Sequence, residues 1–178
     1  MYSVFMLVSP LRTKAIGLLW FFALQFLLGM FLNFFVKIPD VHPGTTGEEY
    51  FSRSWTSLLW ALSLEGGVAL FIHALVGTIL FIGSLAIFVY SLVLRAHRWR
   101  WPLGLAAFFT FTAFFNGMSF LDYGEDFSSA IMATAWLGAV ASICFALVRR
   151  DRVRTEKRSP RAPRTSADTE QHLPFGPT

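Results

Sequence analysis

Four stretches of the chain are apolar and uncharged for about 20 residues each: 15–36, 68–94, 102–121 and 128–148. A helix rises ~1.5 Å per residue and a bilayer core is ~30 Å thick, so each run is long enough to span it. None contains Asp, Glu, Lys or Arg. In hydrocarbon every backbone amide must be paired within its own segment, so the runs should be helices. The runs do not alternate with period 2, which argues against a β-barrel. The pattern predicts an all-α membrane protein, a four-helix transmembrane bundle.

Between the first two runs lies the one long connection, 37–67. It opens Lys37-Ile38-Pro39-Asp40-Val41-His42-Pro43-Gly44, a turn-forming sequence. Thr45 with Glu48, and Thr46 with Glu49, each fit a capping box for a following helix. Trp55, Leu58, Leu59 and Leu62 then fall at i, i+3, i+4 and i+7, which predicts a short amphipathic helix with that stripe as its apolar face. Such a helix lies on the membrane surface or folds over the bundle mouth. It is read as either a structural lid or a gating or partner-binding element. Gly66-Gly67 should break it before the second span.

Composition sharpens the class. Of 178 residues, 54% are hydrophobic and 15% charged, against about 25% charged in a soluble domain. One Cys excludes a disulfide framework and any multi-cysteine metal site. Arg12 and Lys14 precede the first run, but Asn33-Phe34-Phe35-Val36-Lys37-Ile38-Pro39 offers no small-residue cleavage site, so the run reads as an uncleaved span rather than a signal peptide.

Charge gives orientation. Arg12, Lys14, Arg95, Arg98, Arg100 and the eight basic residues from Arg149 to Arg164 fall on one side, thirteen of fifteen in all; Lys37 and Arg53 fall on the other. Basic residues near span ends mark the cytoplasmic side. Both termini, including residues 1–14, should therefore be cytoplasmic in a multi-pass cell-membrane protein, with the amphipathic helix extracytoplasmic. Trp99 and Trp101 fall at the inner boundary, and Tyr50, Trp55, Trp60 and Tyr123 at the outer one, where aromatic belts form. Residues 149–178 are rich in Arg, Pro, Ser and Thr and read as a disordered basic tail, with anionic lipids as the alternative contact. No folded basic face points to nucleic acid.

The polar intramembrane residues are Gln25, Asn33, His73 and Asn116. His73 lies roughly 8 Å inside the outer boundary. Ala69, His73 and Gly77 share one helix face, so His73 should point into a helix contact, with Gln25, Asn33 or Asn116 as partners. The sharper reading joins His73 to His42 of the loop as axial haem ligands. His97 and His172 should be solvated on the cytoplasmic side. At the outer end of the last two spans, Asp126 or Ser128 can cap the final helix. The alternative there is a cation-binding mouth of Asp122, Glu125 and Asp126 with Asp40, Glu48, Glu49 or Glu65. Ala130, Thr134, Gly138 and Ser142 recur every four residues and form a small-residue packing face, for the bundle itself or for a partner. Cys144 stands alone and should be inert. No nucleophile–base pair, P-loop, dinucleotide fingerprint or metal motif occurs, so no catalytic residue is assigned and enzyme activity is disfavoured.

Leu24-Gln25-Phe26-Leu27-Leu28-Gly29-Met30, Asn33, the Ile38-Pro39 and His42-Pro43-Gly44 turns, His73, and Phe115-Asn116-Gly117 followed by Phe120-Leu121 resemble a group of small four-span bacterial and archaeal membrane proteins of unassigned activity. That resemblance covers residues 15–148 and implies four spans but no reaction. The sequence thus points to an integral membrane protein acting by association, as an accessory or binding subunit or by self-association. A haem or redox protein is the first alternative and a small solute or ion carrier the second.

Overall fold

A computed structural model describes residues 2–46, 49–124 and 126–158, with side chains over 11–46, 49–124 and 127–148. The described residues form five helices: α1 (Tyr2–Phe35), α2 (Tyr50–Leu62), α3 (Val68–Val93), α4 (His97–Tyr123) and α5 (Asp126–Arg158). Four carry segments long and apolar enough to cross a membrane: Leu11–Phe35, Val68–Val93, His97–Tyr123 and Phe127–Val148. They form the expected four-helix membrane bundle. Large apolar side chains stay exposed along all four, among them Trp20, Leu27, Phe34, Ile82, Phe108 and Leu137. A soluble protein rarely leaves so much contiguous apolar surface uncovered, whereas lipid solvates it at no cost.

Neighbours in the bundle run α1–α3–α4–α5. The α4–α5 pair is the most intimate, and α5 meets α1 only lightly. Two cores hold the bundle, one at each end. Away from α2, Leu11, Ala15, Leu18 and Phe22 of α1 meet Val76 and Leu80 of α3, Trp99, Leu103 and Ala106 of α4, and Ala139, Ile143 and Ala146 of α5. At the α2 end, Leu58, Trp60 and Ala61 pack on Leu70 and Ala74 of α3 and Met118 of α4. Trp99 and Trp60 are therefore core residues rather than belt residues, while Trp55, Trp101, Tyr50 and Tyr123 are exposed as a belt requires.

Some boundaries move. The third span starts at His97, not Pro102, because proline is tolerated near a helix start, where few amides have partners to lose. It ends at Gly124, whose φ of +64° closes a left-handed cap with its N–H on Phe120 O at 2.8 Å. The last helix continues past Val148 to Arg158, so the basic segment begins as helix. The rest of the expected tail, 159–178, lies outside the described residues, as do Glu48 and Glu125.

Candidate functional site: a polar cap and an intramembrane pair

The face that α2 turns to the bundle differs from the face its sequence pattern selects. Ser54, Ser57, Leu58 and Ala61 are buried, whereas Trp55 and Leu59 are more than half exposed and Leu62 is half-buried. Of the predicted stripe only Leu58 is in the core. Phe51, Trp55 and Leu59 form a separate stripe at i, i+4 and i+8 that points away from α3 and α4. The small serine face lets α2 approach closely.

The preceding loop is bound to that serine face. Gly44 has φ +108°, and a Cβ there would fall 2.8 Å from both Arg53 O and Ser57 N, so only glycine fits. Ser57 Oγ is buried beneath it without a hydrogen-bond partner. The capping boxes do not form: Glu49 is the N-cap of α2 and makes no side-chain cap bond. Thr45 instead closes the loop on itself, its N–H and Oγ both donating to His42 O, at 3.1 and 2.8 Å. A hydroxyl beside a turn competes well for such local bonds.

Around this loop lies a compact polar cluster at the end of α4. Asp122 has a fully buried side chain and accepts from Arg53 Nε at 3.2 Å and Ser54 Oγ at 3.5 Å. Arg53 Nε also donates to Gly44 O at 3.3 Å, and its guanidinium lies 4.4 Å from the centre of the Tyr123 ring. Tyr50 stacks on Tyr123 and hydrogen-bonds Ser119 through its hydroxyl. His42 is 8% exposed and stacks on Trp60 with ring centres 4.2 Å apart. Its Nδ1 lies 2.9 Å from Pro43 O and its Nε2 2.8 Å from Leu121 O. Leu121 is in the last turn of α4, where carbonyls lack helical partners and a cationic donor is favoured by the helix dipole.

The second polar site joins α1 to α3. Gln25 Nε2 and His73 Nε2 are 3.1 Å apart. Each side chain rests on a glycine of the opposite helix. A Cβ on Gly29 would lie 3.3 Å from His73 Cε1, and a Cβ on Gly77 would lie 3.1 Å from Gln25 Nε2. Gln25 and Gly29, and His73 and Gly77, are each one turn apart, so the two helices interlock reciprocally. Buried Gln25 Oε1 and His73 Nδ1 remain without a partner.

The remaining predicted residues are dispersed. Asn116 donates to Thr112 O in its own helix at 2.8 Å, and Asn33 is exposed. His73 therefore pairs with one of its three expected partners, Gln25. The two histidines do not present a pair of free iron ligands. Both His42 nitrogens are engaged by carbonyls of the loop and α4, while His73 is held in the α1–α3 seam. That donor set does not fit a haem held between them. Of the expected cation mouth, Glu48, Glu125 and the Asp126 side chain lie outside the described residues; among those described, Asp40, Glu49 and Glu65 are exposed, Asp122 is committed to Arg53, and no three potential ligands converge.

In the row on α5, Gly138 meets the Phe109 ring of α4, whose carbons would lie 3.0 Å from a Cβ at that position, whereas Ala130 and Thr134 are exposed. Thr134 and Ser142 bond the carbonyls of Ala130 and Gly138 in their own helix. The buried face lies one position over, at Ala135, Ala139, Ile143 and Ala146. Cys144 is exposed. Between α1 and α5, Leu19, Ala23, Phe26, Leu27, Trp136 and Val140 line an open apolar groove of about 370 Å³.

Arg53 is a site residue that no motif or periodicity in the sequence singles out. It is one of two basic residues in the stretch between the first two spans, and Asp122 is the acid that ends the third, which was the available signal. Compared with protein families, curated proteins and solved structures, the chain matches none.

Proposed function

We propose that this integral membrane protein works by association, as a non-enzymatic accessory or binding subunit of a membrane complex. The observation that carries the reading is the orientation of α2. Ser54, Arg53 and Tyr50 are spent inward on Asp122, Gly44 and Ser119, while Phe51, Trp55 and Leu59 face outward, flanked by exposed Ser52 and Thr56. A gate must move, and moving α2 would break the Arg53–Asp122 pair, the loop contacts and two ring stacks together. A fixed apolar face suits recognition of a membrane-embedded helix of another polypeptide, because preorganisation lowers the ordering cost of binding. A carrier needs a continuous polar route. Here the described polar pairs lie on separate seams, Gln25–His73 between α1 and α3 and Thr110–Ser84 between α3 and α4.

In this reading both termini are cytoplasmic and α2 is in the outer leaflet. The test replaces Trp55 by a photo-crosslinking residue in native membranes. The expected result is a discrete adduct with one other polypeptide, lost when Phe51 and Leu59 are both changed to Ser in a chain that still folds. Adducts with lipid alone would overturn the proposal.

A further inference from the structure

The outer loop is fastened by one imidazole in an unusual bonding position. Both nitrogens of His42 lie within hydrogen-bond distance of carbonyl oxygens, Pro43 O at 2.9 Å and Leu121 O at 2.8 Å. A carbonyl only accepts. A neutral imidazole carries one N–H and one lone pair, so it can satisfy one of these contacts and must set a lone pair against the other oxygen. The imidazolium carries two N–H groups and satisfies both.

The surroundings favour the same count. Leu121 O belongs to the C-terminal turn of α4, the end of a helix that attracts a cationic donor. The Trp60 ring lies flat against the imidazole, at 4.2 Å between centres and 8° between planes, and an aromatic face attracts a cation. Among the described residues, the charged groups of the neighbouring elements are Arg53 of α2 and Asp122 of α4, which are paired with each other, and Lys37, Asp40 and Glu49 of the connection, which are exposed; Tyr50 and Tyr123 are the other titratable groups, stacked on each other. Arg53 reaches Gly44 O and His42 reaches Leu121 O, so the His42–Gly44 turn is held at both ends.

We infer that His42 is a proton-operated latch on this cap. Charged, the ring pins the loop to the end of α4 and to its own backbone through both nitrogens. Neutral, it gives up one of the two, and the turn that seats Gly44 on α2 loosens. Gain of the second ring proton therefore tightens the cap, and its loss relaxes it. The latch is a property of the cap alone and holds whether or not α2 meets a partner. It is therefore tested on the isolated full chain, where failure of the latch and failure of the association reading are separate results.

The experiment uses the protein in lipid nanodiscs with nitrogen-labelled histidine. At about pH 5 the His42 signals should show both nitrogens protonated and hydrogen-bonded, and at about pH 8 one should become a bare acceptor. Over the same interval the amide of Thr45, which bonds His42 O, should lose protection from hydrogen exchange about tenfold after correction for intrinsic rates, the scale of one hydrogen bond. His42→Gln should remove the pH dependence of that protection. A ring that stays neutral across the range, or Thr45 protection that does not change with pH, would overturn the proposal. If His42→Gln fails to fold, the nitrogen signals of the unaltered chain decide the question.

Discussion

The cap at the end of α4 and the Gln25–His73 pair solve one problem, how to hold helices in register with polar groups, one with charged side chains and one without. The cap uses an ion pair, several hydrogen bonds and three aromatic contacts around Arg53, Asp122, His42 and Tyr50, with Ser57 Oγ as its orphaned atom. The intramembrane pair uses one contact between two uncharged side chains, each set against a glycine, and leaves Gln25 Oε1 and His73 Nδ1 without partners. At the cap, a buried charge needs a full shell of partners because its desolvation is expensive. Between α1 and α3, groups without formal charge escape that cost, and steric interlock supplies the register that many bonds supply at the cap. Redundancy belongs to the region with charge, and economy to the region without it.

The largest effect should come from breaking the charged region. Asp122→Ala leaves Arg53 without its carboxylate, and because the guanidinium is partly open to solvent the loss should be about 3 kcal/mol, at the low end for a buried pair. Thermal unfolding in nanodiscs measures it, and Arg53→Ala in the Asp122→Ala background should then cost little more. Gly44→Ala adds a Cβ at positive φ against the α2 backbone and should cost about 2 kcal/mol, read by the same melt. The intramembrane pair should give less. A double-mutant cycle of Gln25→Leu and His73→Leu should yield a coupling of about 1 kcal/mol, within the range of polar contacts between membrane helices. A coupling as large as that of the cap would erase the contrast. Smallest of all, Leu59→Ser should change stability by less than about 0.5 kcal/mol while weakening crosslinking from position 55.

The sequence made the two regions unequally legible. His73 stands out because any ionisable residue in an uncharged run of that length is anomalous, and the small residues at one-turn spacing around it reveal its face. Gln25 is one of three candidate partners, since spacing within one helix carries no information about which residue on another lies opposite. The cap is opaque for the converse reason. Loop and helix ends are full of Asp, Glu, Ser and Thr, so no single residue is anomalous, and the Arg53–Asp122 pair spans 69 positions. The stripe on α2 misleads because apolar periodicity reports the face that avoids water. In α2 that face is left exposed at Trp55 and Leu59, and the small side chains of Ser54 and Ser57 face the protein instead. The four spans are legible because length and absence of charge need no partner to be interpreted.

The most direct test of the account is a nitroxide scan along α2, one cysteine at a time in a Cys144→Ser background, reading spin-label mobility and oxygen accessibility in nanodiscs. Labels at 51, 55 and 59 should be mobile and oxygen-accessible, and labels at 54, 57, 58 and 61 immobile and shielded. The opposite phase, with 55 and 59 shielded and 54 and 57 accessible, would contradict the account.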